Sequence, residues 1–531
     1  MSVADNASAN LMIDANLVIA LLAAVTLLAG LATRTGTPYP VVLVLGGLVM
    51  GLIPGVPSPR LNPDLVLVLF LPPLIYSSAF LSSVQELRAN AGPILLLAVG
   101  LVLATTAGVA AVAVLVAGLP WAVAFVLGAV LGPTDPVSAS AILQRVGAPD
   151  RLVTILEGES LVNDATAITA YTIAIGAVAT GSFSVVHGIG TFAFEVVAGT
   201  AIGLIAAWAT LRVRRPIRDP HVVLAATLLT PFIAYIPADA VGASGVLAAV
   251  AAGLYTGAQA PEGTPAATRL QLRSFWELLV FLLNAVLFLL IGMQLPHVLD
   301  AIRGGLSAAL VWHALAIGAT VIAVRLVWMF TVPTVTSALR RGDGATPASP
   351  AARLVLGWSG MRGGVSLALA LAIPLTVSGG APFPDRSLVV FFVYAGVLLT
   401  LVPPGFTLGP LIERLGLGQG ELRSRRVAEA RASMLHAALE QIESLAGDAR
   451  IDDESAANLR SRYEDRLDRL TAWLDTDGGR GETAHRQTAA RHEIIGAERR
   501  RLTELEREHA YPRDVLHELQ RELDLEESRV R

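Results

Sequence analysis

The chain has 531 residues, 54% of them hydrophobic and only 15% charged, and a net charge of −4. It contains no cysteine, which excludes disulfides and thiolate metal sites. Its positive side chains are all arginine and build no basic face for a nucleic acid, whereas long apolar runs between short polar loops mark a multi-span protein of a lipid bilayer.

Thirteen apolar stretches follow one another: about Ala15–Ala32, Tyr39–Ile53, Leu65–Leu81, Ile94–Val116, Trp121–Leu143, Leu152–Val178, Ile189–Leu211, Val222–Ile236, Val241–Ala258, Phe275–Leu295, Leu306–Thr334, Ala352–Thr376 and Leu388–Leu411. Some are shorter than the roughly 20 residues that cross a bilayer untilted. Met1–Asp14 lacks the positive region of a secretory signal, so the first stretch reads as a retained span. With the N-terminus outside, the cytoplasmic side receives Arg34, Arg88, Arg145, Arg151, Arg212, Arg214, Arg215, Arg218, Arg269, Arg273, Arg340, Arg341 and Arg353. Only Arg60, Arg303 and Arg386 fall outside. That bias favours this orientation, an odd number of spans and a cytoplasmic C-terminus.

The fifth stretch carries Gly132-Pro133-Thr134-Asp135-Pro136. Proline lacks an amide hydrogen and clashes with the carbonyl four residues back, so the helix is expected to break here. Irregular backbone at membrane depth is tolerated where it lines a cavity. Freed carbonyls beside the Asp135 carboxylate are hard oxygen ligands suited to an alkali cation. The plainer reading is a proline kink with a structural aspartate.

The sixth stretch carries Glu157, Glu159, Ser160, Asn163 and Asp164. Ser160 and Asp164 are one helical turn apart on one face, and Glu159 and Asn163 form the adjacent stripe. Carboxylates inside a membrane usually mark an ion or proton path. Burial favours the neutral acid and a bound cation favours the carboxylate, so Asp164 is expected to exchange one for the other. Asn163 can support the site through its neutral amide. Glu157, seven residues earlier, reads as an entrance carboxylate or a solvated rim charge.

Arg325 and Arg362 also lie in apolar stretches, and Arg362 sits in the glycine-broken Trp358-Ser359-Gly360-Met361-Arg362-Gly363-Gly364. A buried guanidinium needs a carboxylate. Glu159 is the expected partner of Arg362, while Arg325 is left between a core partner and an interface. Broken helices in both halves suggest a midplane site in an inverted repeat. Glu195 reads as interfacial, and Gly47-x-x-x-Gly51 permits close helix packing.

From Glu413 the composition turns to arginine and glutamate, with Leu435, Leu439, Ile442 and Leu445, then Leu502 and Leu505, then Leu516, Leu519 and Leu523 at helical spacing. Asp477-Gly478-Gly479 reads as a break and Pro512 as a first turn. The expected division is a transmembrane domain over 1–412 and a cytoplasmic helical tail over 413–531.

The phrases at Gly132–Pro136, Gly158–Asp164 and Trp358–Gly364, with Phe70-Leu71-Pro72-Pro73-Leu74 and Asn284-Ala285-Val286-Leu287-Phe288, resemble the cation:proton antiporter-1 family of NhaP-type bacterial sodium/proton antiporters. The resemblance covers the membrane region and implies an all-α polytopic fold. It would have about 13 transmembrane helices and crossed, discontinuous helices in an NhaP/NhaA-like repeat. It further implies a homodimer in the bacterial cell membrane, exchanging Na+ (or Li+ or K+) for H+ by an elevator motion, with no enzymatic activity and no cofactor. Asp164 and Asp135 would hold the ion with Ser160 and Thr134, Asn163 would support them, and Glu159 would pair with Arg362. Asparagine before Asp164 is the pattern of electroneutral one-for-one exchange. This chain has Ser77 and Ser78 where many relatives carry an acid, so one ion ligand of those relatives is absent. The remaining alternatives are a potassium/proton antiporter, a cation channel or sensor using the same pocket, and, remotely, an intramembrane hydrolase. The last has no His-Glu-x-x-His pair and no histidine near Ser160 to support it.

Overall fold

A computed structural model describes residues 3–475, apart from 55, 57–65, 182–184, 218, 264, 303–304, 340–348, 378–379, 419 and 449, together with scattered positions between 494 and 523. The arginines at 60, 218, 303, 340 and 341, the Asp477–Gly479 break, Pro512 and Leu516 lie outside the described residues.

The described chain is helical. The first helices are α1 (Val3–Thr35), α2 (Tyr39–Leu52), α3 (Leu71–Leu81, entered through a π-turn over Val66–Phe70), α4 (Val84–Ala89) and α5 (Ala91–Leu95). A second π-turn, Leu96–Leu101, leads into α6 (Val102–Ala117). Then come α7 (Trp121–Leu131), α8 (Pro136–Val146), α9 (Asp150–Thr180), α10 (Val185–Arg214), α11 (Pro220–Ala240), α12 (Gly245–Gly263), α13 (Ala266–Met293) and α14 (Leu295–Asp300). The set closes with α15 (Ala308–Leu339), α16 (Pro350–Trp358), α17 (Gly364–Leu371), α18 (Arg386–Arg414), α19 (Gly420–Gly447) and α20 (Asp453–Asp475).

Nine spans among the described residues are long and apolar enough to cross a membrane, and three shorter apolar helices, over Tyr39–Leu52, Val66–Leu81 and Gly245–Gln259, accompany them. The fifth apolar stretch divides into α7 and α8 at its prolines, and the twelfth into α16 and α17 at its glycines. Left-handed glycines end α8 and α9, at Gly147 (φ 68°) and Gly181 (φ 69°), as helix C-termini require.

The helices form two bundles. In one, α10 packs on α11 and α12, α12 on α3, and α2 on α13. Gly47 lies against the Leu289 carbonyl and Gly51 against the Met293 backbone, so the small residues of α2 let its backbone meet that of α13. In the other bundle α7 packs between α6 and α9, and α15 packs on α6 and α18.

The chain forms two compact units, Met1–Gly418 and Gln419–Arg531. In the second, α19 and α20 pack on each other, burying Ala428, Leu435, Ile442 and Ala456, with Arg460 facing Glu443 at 3.7 Å. The apolar stripe of α19 is thus a helix-pairing face.

Candidate functional site

The two helix breaks meet. The amide of Asp135, between α7 and α8, donates to the carbonyl of Met361, between α16 and α17, at 2.9 Å. Backbone groups released by proline and glycine therefore satisfy one another inside the bundle, as an apolar surrounding demands.

Helix α9 crosses beside this junction, and its polar stripe holds Thr134 from several directions. The Ser160 hydroxyl and the Asn163 amide both donate to the Thr134 carbonyl, at 3.1 and 3.2 Å. The same amide donates to Thr134 Oγ1 at 2.8 Å, and Thr134 Oγ1 donates to Glu159 Oε1 at 3.0 Å. Asn163 thus anchors the broken backbone through its amide, and its Oδ1 stays buried without a partner. The Thr134 carbonyl, an expected cation ligand, has both lone pairs engaged by these donors.

The two aspartates differ. Asp135 Oδ1 accepts from the amide of Val137 at 2.9 Å, making Asp135 the N-cap of α8. Asp164 accepts no hydrogen bond from a described residue. Both line one cavity of about 360 Å³ together with Ser160, Thr134, Ser77 and Ser78. Asn284 and Ser366 line it too, and Asn284 Nδ2 and Ser366 Oγ are buried without partners. Buried polar groups left over by the protein are satisfied by water or a ligand, so the cavity is suited to a polar occupant. The cavity extends from Asp164 to Tyr39, Trp276 and Glu277, and the Glu277 side chain is 57% exposed.

The expected Glu159–Arg362 pair is corrected. Arg325, from α15, closes on Glu159 with Nη1–Oε1 at 2.5 Å and Nη2–Oε2 at 2.8 Å, both side chains being only 1% exposed. Its Nε donates to the Leu356 carbonyl at 3.0 Å. Arg362 instead donates from Nε to the Leu131 carbonyl at 2.8 Å and from Nη1 to the Gly360 carbonyl at 2.9 Å. The physical reason lies in the breaks themselves. They leave carbonyls at the end of α7 and in the 359–363 turn, and these engage the Arg362 fork while Arg325 occupies both carboxylate oxygens.

Glu157 does not line the cavity; it sits half-buried with Gln144 Nε2 at 3.5 Å. Ser77 does line it, its hydroxyl donating to the Leu74 carbonyl at 2.8 Å. The site also contains residues to which the sequence reading gave no role. Asn284 and Ser366 are polar residues in apolar spans, which was the available signal. Gly363 is required by contact, because a Cβ there would run into the Asp135 carboxylate. Gly360 is required likewise by the Arg325 side chain.

Comparison with known proteins adds the following. A family model described as sodium/hydrogen exchanger, transmembrane, matches residues 18–414. An uncharacterized Na(+)/H(+) exchanger of Mycobacterium tuberculosis is 34% identical over 525 residues, covering 96% of this chain and 95% of the relative. A Na(+)/H(+) antiporter of Aphanothece halophytica is 31% identical over 77% of this chain and 76% of its own length. A sodium, potassium, lithium and rubidium/H(+) antiporter of Bacillus subtilis is 31% identical over 69% of this chain and 56% of its own. The solved sodium proton antiporter of Methanocaldococcus jannaschii at pH 8 has the same fold, with a TM-score of 0.57 at 20% identity, over 77% of this chain and 99% of that one.

Proposed function

This chain belongs to the sodium/hydrogen exchanger family, and we propose that it is a secondary antiporter exchanging sodium for protons one for one across a bacterial cell membrane. The observation that carries the reading is the pairing of Asp164 and Asp135 in one cavity at the junction of two broken helices. Broken helices of this kind supply oxygen ligands at the midplane of transporters. Asp164 is the exchanging group, because no donor among the described residues holds its carboxylate. Asp135, held by its cap on α8, contributes an oxygen to the cation. The Ser160 hydroxyl and, after a shift of one donor, the Thr134 carbonyl complete the cation's ligands.

One free carboxylate supports one-for-one exchange: it carries either a proton or a monovalent cation, and both loads are neutral. The bundle of α6–α9 and α15–α18 is the moving part, travelling as an elevator against the other, which supplies the homodimer contact. With the N-terminus outside, the cavity past Glu277 opens to the cytoplasm, and the tail lies on that side.

The test is collapse of a preset pH gradient in proteoliposomes by sodium, lithium or potassium, wild type beside Asp164→Asn. Sodium-driven collapse lost in the variant supports the reading. A response to potassium alone keeps the mechanism and replaces the substrate. That second reading is favoured by Ser77 and Ser78, whose hydroxyls offer the cavity less charge than an acid. Cation movement without proton coupling, or an Asp164→Asn protein that matches wild type, overturns it.

A further inference from the structure

Glu195 is a carboxylate in the N-terminal half of apolar α10, seven residues and roughly 10 Å along the helix from Gly188. Such a group in a membrane needs a partner and a reason. Its Oε2 meets Oγ1 of Thr169 on α9, and its backbone carbonyl accepts the amide of Ser244, at the start of α12, at 3.3 Å. Thr169 lies five residues beyond Asp164 on the same helix, roughly 7.5 Å along the axis.

The seam that this contact crosses has little else to hold it. Gly199 and Gly203 fasten α10 to the backbone of Ser244 and Ala248, that is, to α12 rather than to α9. Between α9 and the first turns of α10 lies an apolar cavity of about 560 Å³, bordered by Thr169, Ile173, Ile189 and Phe192. The polar bond therefore bridges the two bundles where apolar packing is interrupted. With the N-terminus outside, Thr169 lies on the external side of Asp164 along α9, and Glu277 lies near the cytoplasmic end of α13.

We propose that Glu195 is a positioning residue of the exchange reaction: its bond to Thr169 holds α9 against α10 and closes the external approach to Asp164 while the cytoplasmic cavity is open. The proposal rests on the antiport reading for its orientation and for the movement of α9. The hydrogen inventory identifies a conservative replacement. The single hydroxyl hydrogen of Thr169 has two acceptors, the Ala165 carbonyl at 3.0 Å and Glu195. A glutamine at 195 brings its own N–H, so it keeps the bond with that hydrogen left on Ala165.

Because the chain has no native cysteine, one introduced thiol reports alone. Ala165, 3% exposed, lies one turn inward of Thr169 and next to Asp164. The experiment is labelling of Ala165→Cys by a membrane-impermeant maleimide applied from outside to right-side-out vesicles. It is done in the parent and with Glu195→Ala, Thr169→Val, both together, or Glu195→Gln. The expected result is labelling about fivefold faster in each single variant, the population change from losing one ordinary hydrogen bond. The double variant is expected to show no further rise, and Glu195→Gln to return to the parent rate. Unchanged labelling in the single variants, additive effects, or no rescue by glutamine overturns the proposal. Total thiol titrated after denaturation corrects for unequal protein amounts. Labelling needs no transported ion, so it is separable from the function test. A chain without exchange but with this labelling pattern sinks the antiport reading, and a chain with exchange but without the pattern sinks the latch.

Discussion

Arg325 engages both oxygens of Glu159, at 2.5 and 2.8 Å, with both side chains buried. The same Oε1 accepts from Thr134, so the ion pair is wired to the broken segment that carries Asp135. It holds α9, α15 and the 132–135 turn in one arrangement.

Removing one member of a buried pair leaves an uncompensated charge. Arg325→Gln and Glu159→Gln are each expected to lower stability by about 3–5 kcal/mol. Combining them recovers a large part of the loss, whereas combining Glu159→Gln with Arg362→Gln does not. Thermal unfolding of the detergent-solubilised protein, scored as a double-mutant cycle, checks the pairing.

The two aspartates are expected to separate in their variants. Asparagine caps a helix about as well as aspartate, so Asp135→Asn leaves the fold within about 0.5 kcal/mol of wild type. It removes a negative charge beside the cation, worth several kcal/mol at an effective dielectric of about 20, and the apparent cation affinity is expected to fall at least about tenfold. Equal affinity in flux assays over a cation titration would remove Asp135 from the site.

Glycine at 363 is a steric requirement, and glycine at 176 is not. Gly363→Ala drives a methyl into the Asp135 carboxylate and is expected to cost about 1–3 kcal/mol along with cation exchange. A Cβ at Gly176, near the C-terminal end of α9, meets nothing within 4 Å, so Gly176→Ala is expected to stabilise by up to about 0.5–1 kcal/mol with exchange intact. Thermal unfolding and proteoliposome flux on the two variants test the contrast.

Asp452 caps α20 through the Ser455 amide at 2.6 Å, and the Ser455 side-chain and backbone hydrogen bonds hold its carboxyl below the ordinary carboxylate range. A lowered folded value means that the cap's contribution is complete above the unfolded value, about 3.9, and disappears as pH falls through the folded one. Hydrogen exchange in the first turn of α20 is expected to be constant from pH 7 to about 4 after correction for intrinsic rates, and less protected below. Asp452→Ala removes that dependence and lowers protection throughout.

Much of the site was legible because its chemistry is local. Pro133 and Pro136, set close together beside Gly132, break the helix where single prolines such as Pro231 and Pro237 in α11 do not, and Ser160, Asn163 and Asp164 share their side of α9 by spacing alone. The partner of Glu159 was not legible. Arg325 and Arg362 are both buried arginines in apolar stretches, and the choice between them depends on where the two breaks leave free carbonyls. Asp135 shows the same limit: its place before Pro136 fits a helix cap as well as an ion ligand, and only the assembled structure shows the cap formed on the wall of a cavity it shares with Asp164. The Glu195–Thr169 contact joins helices whose crossing no single stretch encodes.

The charges gathered at the crossing have an electrical consequence. Glu159 cancels Arg325, and counting Asp135 as a carboxylate against Arg362 leaves Asp164 to determine the sign of the whole group. On the proposed antiport reading, the assembly filled with a proton or a sodium ion is neutral, and a membrane voltage does no work on its passage. Empty, it bears one negative charge, which a potential of 100 mV would oppose or favour by about 2.3 kcal/mol and which the bilayer interior penalises in either direction. The proposed carrier is then indifferent to voltage when loaded and resists returning empty, so the reading makes the charge count at one carboxylate the guard against leak.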